Sequence, residues 1–187
     1  MISLSSLHNI YADHPAAVLG GAISLRNDIA KLPPNCLMIA VNYHAHTIGL
    51  KPKYMVYLDD PRTRPQMMRV IREKKVIKVC PETEPFGDVV MDVEYWRGNN
   101  SATTAAWLGL WMGCNPVYLC GIDLYTGSKP YCHDDYTPDQ IPVPATDLMR
   151  PWVEECRNLC PHPERLIAMS GPLQNLFPNR QPLIANS

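Results

Sequence analysis

The chain has 187 residues, with 17 Lys and Arg against 18 Asp and Glu and a formal net charge of −1. That balance removes the whole-chain electrostatic argument for a nucleic-acid partner or an anionic membrane surface. No apolar run approaches the roughly 20 residues that a membrane-spanning helix needs, and the length suits one well-buried core better than two.

Residues 1–14 are mixed and polar and carry no periodic signal. Ala16–Leu19 is the first apolar strand, and it runs into Gly20-Gly21 and a helix beginning near Ser24. A strand, paired glycines and a helix start bring backbone N–H groups close to a phosphate or carboxylate. The same letters describe an ordinary tight turn, and their spacing is not the G-x-G-x-x-G of dinucleotide binding. Leu25–Lys31 forms a short helix that stops before Pro33-Pro34. A second buried strand, Leu37–Val41, exits into Asn42-Tyr43-His44, and Thr47–Leu50 is a brief turn or helix. Tyr54–Leu58 follows as a third strand and exits into Asp59-Asp60-Pro61.

Arg64–Lys75 reads as a basic amphipathic helix with a solvated charged face. Val76–Cys80 is a fourth strand, and Val89–Met91 reads as an edge strand. From Asn99 to Tyr125 the text is densest: polar Asn99, Asn100 and Ser101 open an apolar small-residue helix closed at Gly113. The strand Val117–Cys120 then exits into Gly121-Ile122-Asp123. Residues 126–146 hold prolines at 130, 138, 142 and 144 and read as a long ordered loop, a candidate lid. A helix over Asp147–Cys160, a strand over Arg165–Met169 and a turn or short helix over Leu173–Phe177 complete the chain.

Strands without polar alternation, separated by helices, define an α/β domain: a Rossmann-like three-layer sandwich with a mostly parallel sheet, spanning residues 1–187 as one unit. In a parallel sheet the carboxyl ends of the strands line one rim, so Gly20, Asn42, Asp59 and Asp123 converge there. The seven cysteines are odd in number and form no C-x-x-C pair, so reduced thiols are expected, and with no export signal at the N-terminus the expected compartment is cytoplasmic. A homo-oligomer is left open.

Several residues are candidates for chemistry. Asp123 lies beside Gly121, which permits close backbone approach; it is either a site carboxylate or a loop cap. Asp59 and Asp60 suit a divalent cation such as Mg²⁺, and equally suit a turn. Asn42 offers a donor and an acceptor to a base or ribose edge. His133 is the candidate acid/base histidine, whereas His44 and His46 lie too close together in a loop to read as a metal pair.

The blocks VLGGAISLRNDIAKLP, IAVNYH, KPKYMVYLDDP, NSATTAAWLGLWMGCNPVYLCGIDLY and RLIAMSGPLQNLFP resemble the bacterial CMP-sialic-acid-dependent sialyltransferases and the related motility accessory factors. The same core is similar to the archaeal 6-hydroxymethylpterin diphosphokinases. The resemblance implies a glycosyltransferase that uses a nucleotide sugar, with cytidine surrounded by Gly20, Gly21, Ser24, Asn42, Ser101, Gly121 and Asp123. The kinase likeness implies pyrophosphoryl transfer, with Mg²⁺ and a triphosphate near Asp59 and Asp60. A nucleotide-binding module without catalysis is the third reading. The sequence departs from the sialyltransferase pattern in two places. The family's Gly-Asn-Gly-Pro-Ser-Leu loop is Gly-Gly-Ala-Ile-Ser-Leu here, and its catalytic histidine lies further downstream than His133.

Overall fold

Ala16–Leu19 (β2) is wholly inaccessible to solvent because it is paired on both edges and covered on both faces. Its neighbours are Leu37–Val41 (β3) and Val117–Cys120 (β7), both parallel to it. In a computed structural model describing residues 2–73, 75–81, 86–91, 100–124, 129–134, 154–158 and 160–177, these belong to an eight-stranded sheet. The others are Ile2–Ser3 (β1), Tyr54–Val56 (β4), Ile77–Pro81 (β5), Val89–Met91 (β6) and Leu166–Ala168 (β8). The order is β1-β6-β5-β4-β3-β2-β7-β8, and every pairing is parallel. The fold is therefore Rossmann-like α/β, and the sheet is more uniformly parallel than the sequence led us to expect.

The helices are Leu25–Ile29 (α1), His44–Thr47 (α2), Pro65–Glu73 (α3) and Ser101–Trp111 (α4). Side chains alternate across each strand, so the sheet feeds two cores. Val18, Ile39, Val56, Val79 and Leu119 meet α4, whereas Leu19, Ala40, Met55 and Cys120 meet α1, α2 and α3. The helix α3 is amphipathic, burying Met67, Val70 and Ile71 and exposing Arg69 and Arg72. In α4, by contrast, every residue from Thr103 to Leu110 is buried. Trp111 donates its indole N–H to the Leu4 carbonyl (3.2 Å), and the Thr103 hydroxyl donates to Glu155 (2.6 Å) in a helical stretch at 154–158. Both partners close over the outer side of α4.

The capping of α4 follows the sequence. Asn100 Oδ1 accepts the Ala102 and Thr103 N–H groups (2.8 and 3.0 Å), and Gly113 takes the left-handed φ of +85° after the last turn. Two expectations change. Residues 1–14 supply β1 and a 3₁₀ turn at Leu4–Leu7 whose two leucines are buried, and β1 displaces Val89–Met91 from the edge of the sheet. Most of the expected lid at 126–146, and residues 147–153 of the expected helix, lie outside the described residues. The seven cysteines are free, and burial pushes up the thiols of Cys36, to about 11, and Cys114, to about 12, as it does those of Cys120, Cys132 and Cys156. Among the described residues, no helix is long and apolar enough to cross a membrane.

Candidate functional site

The register brings the strand exits to one level. Leu19 lies opposite both Ala40 and Cys120, Val41 opposite Val56, and Leu119 opposite Ala168. Gly20, Asn42, Gly121 and Ser170 consequently emerge along one rim. Strand order reverses between β2, which leads to β3 and onward, and β7, which leads to β8. In open α/β sheets that reversal is where ligands usually bind.

At the reversal stands a cluster of four oxygens. Ser24 Oγ lies 2.6 Å from Asp123 Oδ1 and 3.1 Å from Asp28 Oδ2. Ser170 Oγ lies 2.7 Å from Asp28 Oδ2 and 2.8 Å from Asp123 Oδ1, and the two hydroxyls are 2.7 Å apart. Two hydroxyl protons serve these five contacts, so the donors alternate among them. Asp28 Oδ2 also accepts the Gly121 N–H (2.9 Å), which fastens α1 to the exit of β7. Asp28 and Asp123 are 1% and 6% exposed, and at such burial carboxylates need this density of donors. Asp123 and Ser24 were expected at the site; Asp28 and Ser170 were not. Asp28 falls three residues after Leu25 on the inward face of α1, and Ser170 follows the last strand as Asn42 follows β3.

The Gly20-Gly21 turn lies between this cluster and a second one. A Cβ on Gly20 would come within 2.2 Å of the Gly121 carbonyl oxygen, and one on Gly21 within 2.7 Å of the His44 ring. The Gly20 and Ala22 N–H groups donate to the carbonyls of Cys120 and Gly121 (2.8 and 2.9 Å). Two amides of the turn are thus already engaged by β7 and its exit. Gly121 itself needs the left-handed φ of +64° and leaves no room for a side chain against Leu25.

On the Gly21 side, His44 stacks on Tyr131 with ring centroids 4.4 Å apart and an interplanar angle of 18°. His44 Nδ1 lies 2.7 Å from His133 Nε2, and Tyr43 packs at a tilt against both imidazoles. The Cys132 N–H donates to the Gly21 carbonyl (2.8 Å), so the segment 129–134 is tied to the turn. Burial above all, then the charges on His133 and Arg64, lowers the pKa of His44 to about 3, and the ring is neutral. His133 was foreseen as a candidate, whereas His44 and Tyr131 were not.

Asn42 stands one strand over, in left-handed backbone (φ 54°), with its N–H bonded to the Val56 carbonyl (2.9 Å). Its Oδ1 is buried and has no hydrogen-bond partner among the described residues. Ser101 opens α4, and its hydroxyl accepts the Leu58 N–H (3.3 Å), which brings the helix N-terminus to the β4 exit. Asp60 caps a 3₁₀ turn at Pro61–Thr63 and accepts the Arg62 backbone N–H and Nε–H (2.9 and 2.8 Å). Asp59 pairs with Arg64 (3.0 Å). Each carboxylate faces an arginine, so this pair does not fit a divalent cation as it stands. Among the described residues, no group of three or more His, Cys, Asp or Glu side chains has metal-binding geometry.

No family model matches the sequence, and neither does any curated protein. The similarity lies in the fold. The chain is similar over 72% of its length to the MAf glycosyltransferase of Magnetospirillum magneticum AMB-1, at 16% identity and a TM-score of 0.48, and spans 28% of that chain. It is similar over 88% of its length, and 84% of the other chain, to the sialyltransferase CstII of Campylobacter jejuni, at 14% identity and a TM-score of 0.57. That structure was determined with a substrate analogue, cytidine-5'-monophosphate. The second comparison agrees with the Rossmann-like architecture along nearly the whole of both chains.

Proposed function

We propose that this protein binds a nucleotide or nucleotide sugar at the rim over β3 and β4 and acts as a glycosyltransferase, with a CMP-linked sugar as the donor. The observation that carries the reading is Asn42. A buried acceptor oxygen without a partner costs on the order of 1–3 kcal/mol, a cost that is recovered when a ligand supplies the missing donor. The exocyclic amine of cytosine and the ribose hydroxyls are donors of that kind. The likeness in fold to CstII, which binds cytidine-5'-monophosphate, supports the choice of nucleotide.

In this reading Asn42 reads the nucleoside. Ser101 and the N-terminus of α4 face the phosphate, where the helix dipole favours negative charge. Gly20, Gly21 and Gly121 form a wall, while Ser24 and Asp123 stiffen it through their cluster. His133 takes the proton of the acceptor hydroxyl as the bond to the leaving phosphate breaks. Catalysis then rests on positioning and on stabilising the leaving group, with no step through a metal.

Thermal-shift measurements with CMP, CDP, ATP and GTP, each with and without Mg²⁺, test the proposal. Stabilisation by CMP without Mg²⁺ is expected. Stabilisation only by ATP with Mg²⁺ would favour pyrophosphoryl transfer instead, and no shift with any nucleotide would remove the site. Binding without catalysis is the second reading. It is favoured by the internal pairing of Asp28, Asp123, Asp59 and Asp60, and a CMP-dependent shift without donor turnover would select it.

A further inference from the structure

We propose that Arg64 is the residue that holds the phosphate of the bound nucleotide, and that it does so by exchanging its ion pair with Asp59 for the phosphate. The proposal rests on the nucleotide site described above and gives that site its cation. Arg64 Nη2 lies 3.0 Å from Asp59 Oδ2, and the two side chains are partly exposed, at 30% and 48%.

The pair stands over the ends of β3 and β4. Asp59 follows Leu58, whose N–H is bonded to Ser101 at the start of α4, while the Asn42 N–H is bonded to the carbonyl of Val56 at the end of β4. On the other side lies His44, two residues beyond Asn42. After burial and the charge on His133, the charge on Arg64 contributes to the lowered pKa of that ring. A guanidinium that touches the exit of β4 and is felt at the exit of β3 is seated between them, where Asn42 and Ser101 are assigned to the nucleoside and the phosphate.

The backbone of Arg64 is fixed, and its side chain is the part left to move. Its N–H donates to the Pro61 carbonyl (3.1 Å), and its carbonyl accepts the Met68 N–H at the start of α3 (3.1 Å). Pro65 keeps the residue before it extended (φ −129°, ψ 93°). The neighbouring pair differs. Asp60 accepts both the backbone N–H and the Nε–H of Arg62 and so caps the 3₁₀ turn, and separating those residues would open the turn. Asp59 and Arg64 meet side chain to side chain, so they part without loss of a backbone bond.

An ion pair between partly exposed side chains is weakly held, because water and salt screen it. A phosphate offers at least the charge of a carboxylate and presents several oxygens to the planar fork of a guanidinium, which suits parallel hydrogen bonds. The exchange therefore runs toward the phosphate. It also suits group transfer: the phosphate of a nucleotide sugar is a diester with a single negative charge, and it gains further charge on release, so the guanidinium holds the leaving group more tightly than the donor. Asp59 is then a place-holder for the phosphate, which is why it faces an arginine and not a metal.

The experiment uses the full chain in phosphate-free buffer and measures the affinities of CMP and cytidine by titration calorimetry. The wild type is expected to bind CMP more tightly than cytidine. Arg64→Gln should weaken CMP about tenfold and leave cytidine unchanged. Asp59→Asn, which releases the guanidinium, should tighten CMP about threefold and again leave cytidine unchanged. These opposite signs separate an exchange from a brace, for which both substitutions would weaken both ligands. Equal losses for CMP and cytidine in Arg64→Gln, or a CMP affinity that is unchanged or weaker in Asp59→Asn, would overturn the proposal. Urea midpoints check that each variant is folded. If neither CMP nor cytidine binds the wild type, the nucleotide reading fails, and inorganic phosphate decides the role of Arg64. Its Nε–H resonance, assigned by its loss in Arg64→Gln, should then move on phosphate titration, and at lower phosphate in Asp59→Asn; a resonance that stays still removes Arg64 as an anion site.

Discussion

The two clusters flanking Gly20-Gly21 solve the problem of a buried polar group in different ways. Asp28, Asp123, Ser24 and Ser170 bind one another with many short, interchangeable contacts, and the Gly121 N–H joins α1 to the β7 exit through them. His44, Tyr131 and His133 meet through stacked flat rings, and a hydrogen bond joins the two imidazoles. A redundant network tolerates small shifts and suits a brace, whereas a bond between two imidazole nitrogens, each of which can donate or accept, suits the handling of a proton. The contrast suits an oxygen cluster that holds the rim together and, in the function proposed above, leaves the chemistry to Asn42 and His133.

The contrast breaks most visibly at the glycines and at Asp28. Asp28→Ala strands the buried Gly121 N–H and leaves the two hydroxyls to share Asp123 alone, so a loss of about 3 kcal/mol in urea unfolding is expected. A loss below about 1 kcal/mol would show that the cluster is not a brace. Gly20→Ala drives a methyl group into the Gly121 backbone and should cost about 3 kcal/mol, whereas Gly21→Ala meets only side chains and should cost about half as much while displacing Tyr131. Tyrosine fluorescence follows that displacement.

Acid separates the clusters further. His44 keeps a pKa of about 3 in the folded chain and regains its ordinary 6.5 on unfolding, so between these values the unfolded chain holds the extra proton. Its contribution is therefore complete above pH 6.5 and is lost as pH falls toward 3, at up to about 1.4 kcal/mol per pH unit. His44→Phe should flatten that part of a stability-against-pH curve. The smallest expected effect on stability is at Asn42. Asn42→Gly suits the left-handed backbone and should alter urea unfolding by less than about 0.5 kcal/mol, yet it should abolish the thermal shift with CMP.

The core strands were legible because they are unbroken apolar runs: β2, β3 and β7 begin and end where their letters do. The strand β1 was not, since two residues carry no periodicity and their pairing with β6 spans most of a hundred positions of chain. Among the site residues, Asn42, Ser24, Asp123 and His133 could be selected because strand exits and loop histidines are visible in the letters. Ser170 follows the same exit rule, applied to β8. Asp28 was hidden within a five-residue helix, and the His44–His133 contact depends on a loop 89 residues away folding back onto α2, which no local pattern encodes.

The seam between Gly20 and Gly121 also has a bearing on how ligands approach. With the Gly20 and Ala22 amides turned toward β7 and its exit, the furrow that a parallel sheet leaves where its winding changes direction is already filled by the chain's own backbone. One strand away, at the ends of β3 and β4, lie the unpartnered Asn42 Oδ1 and the Leu58–Ser101 contact on which the proposed nucleotide site is built. In an amide spectrum recorded during nucleotide titration, Asn42, Leu58 and Ala102 should therefore be the resonances that move, while Gly20 and Ala22 remain still.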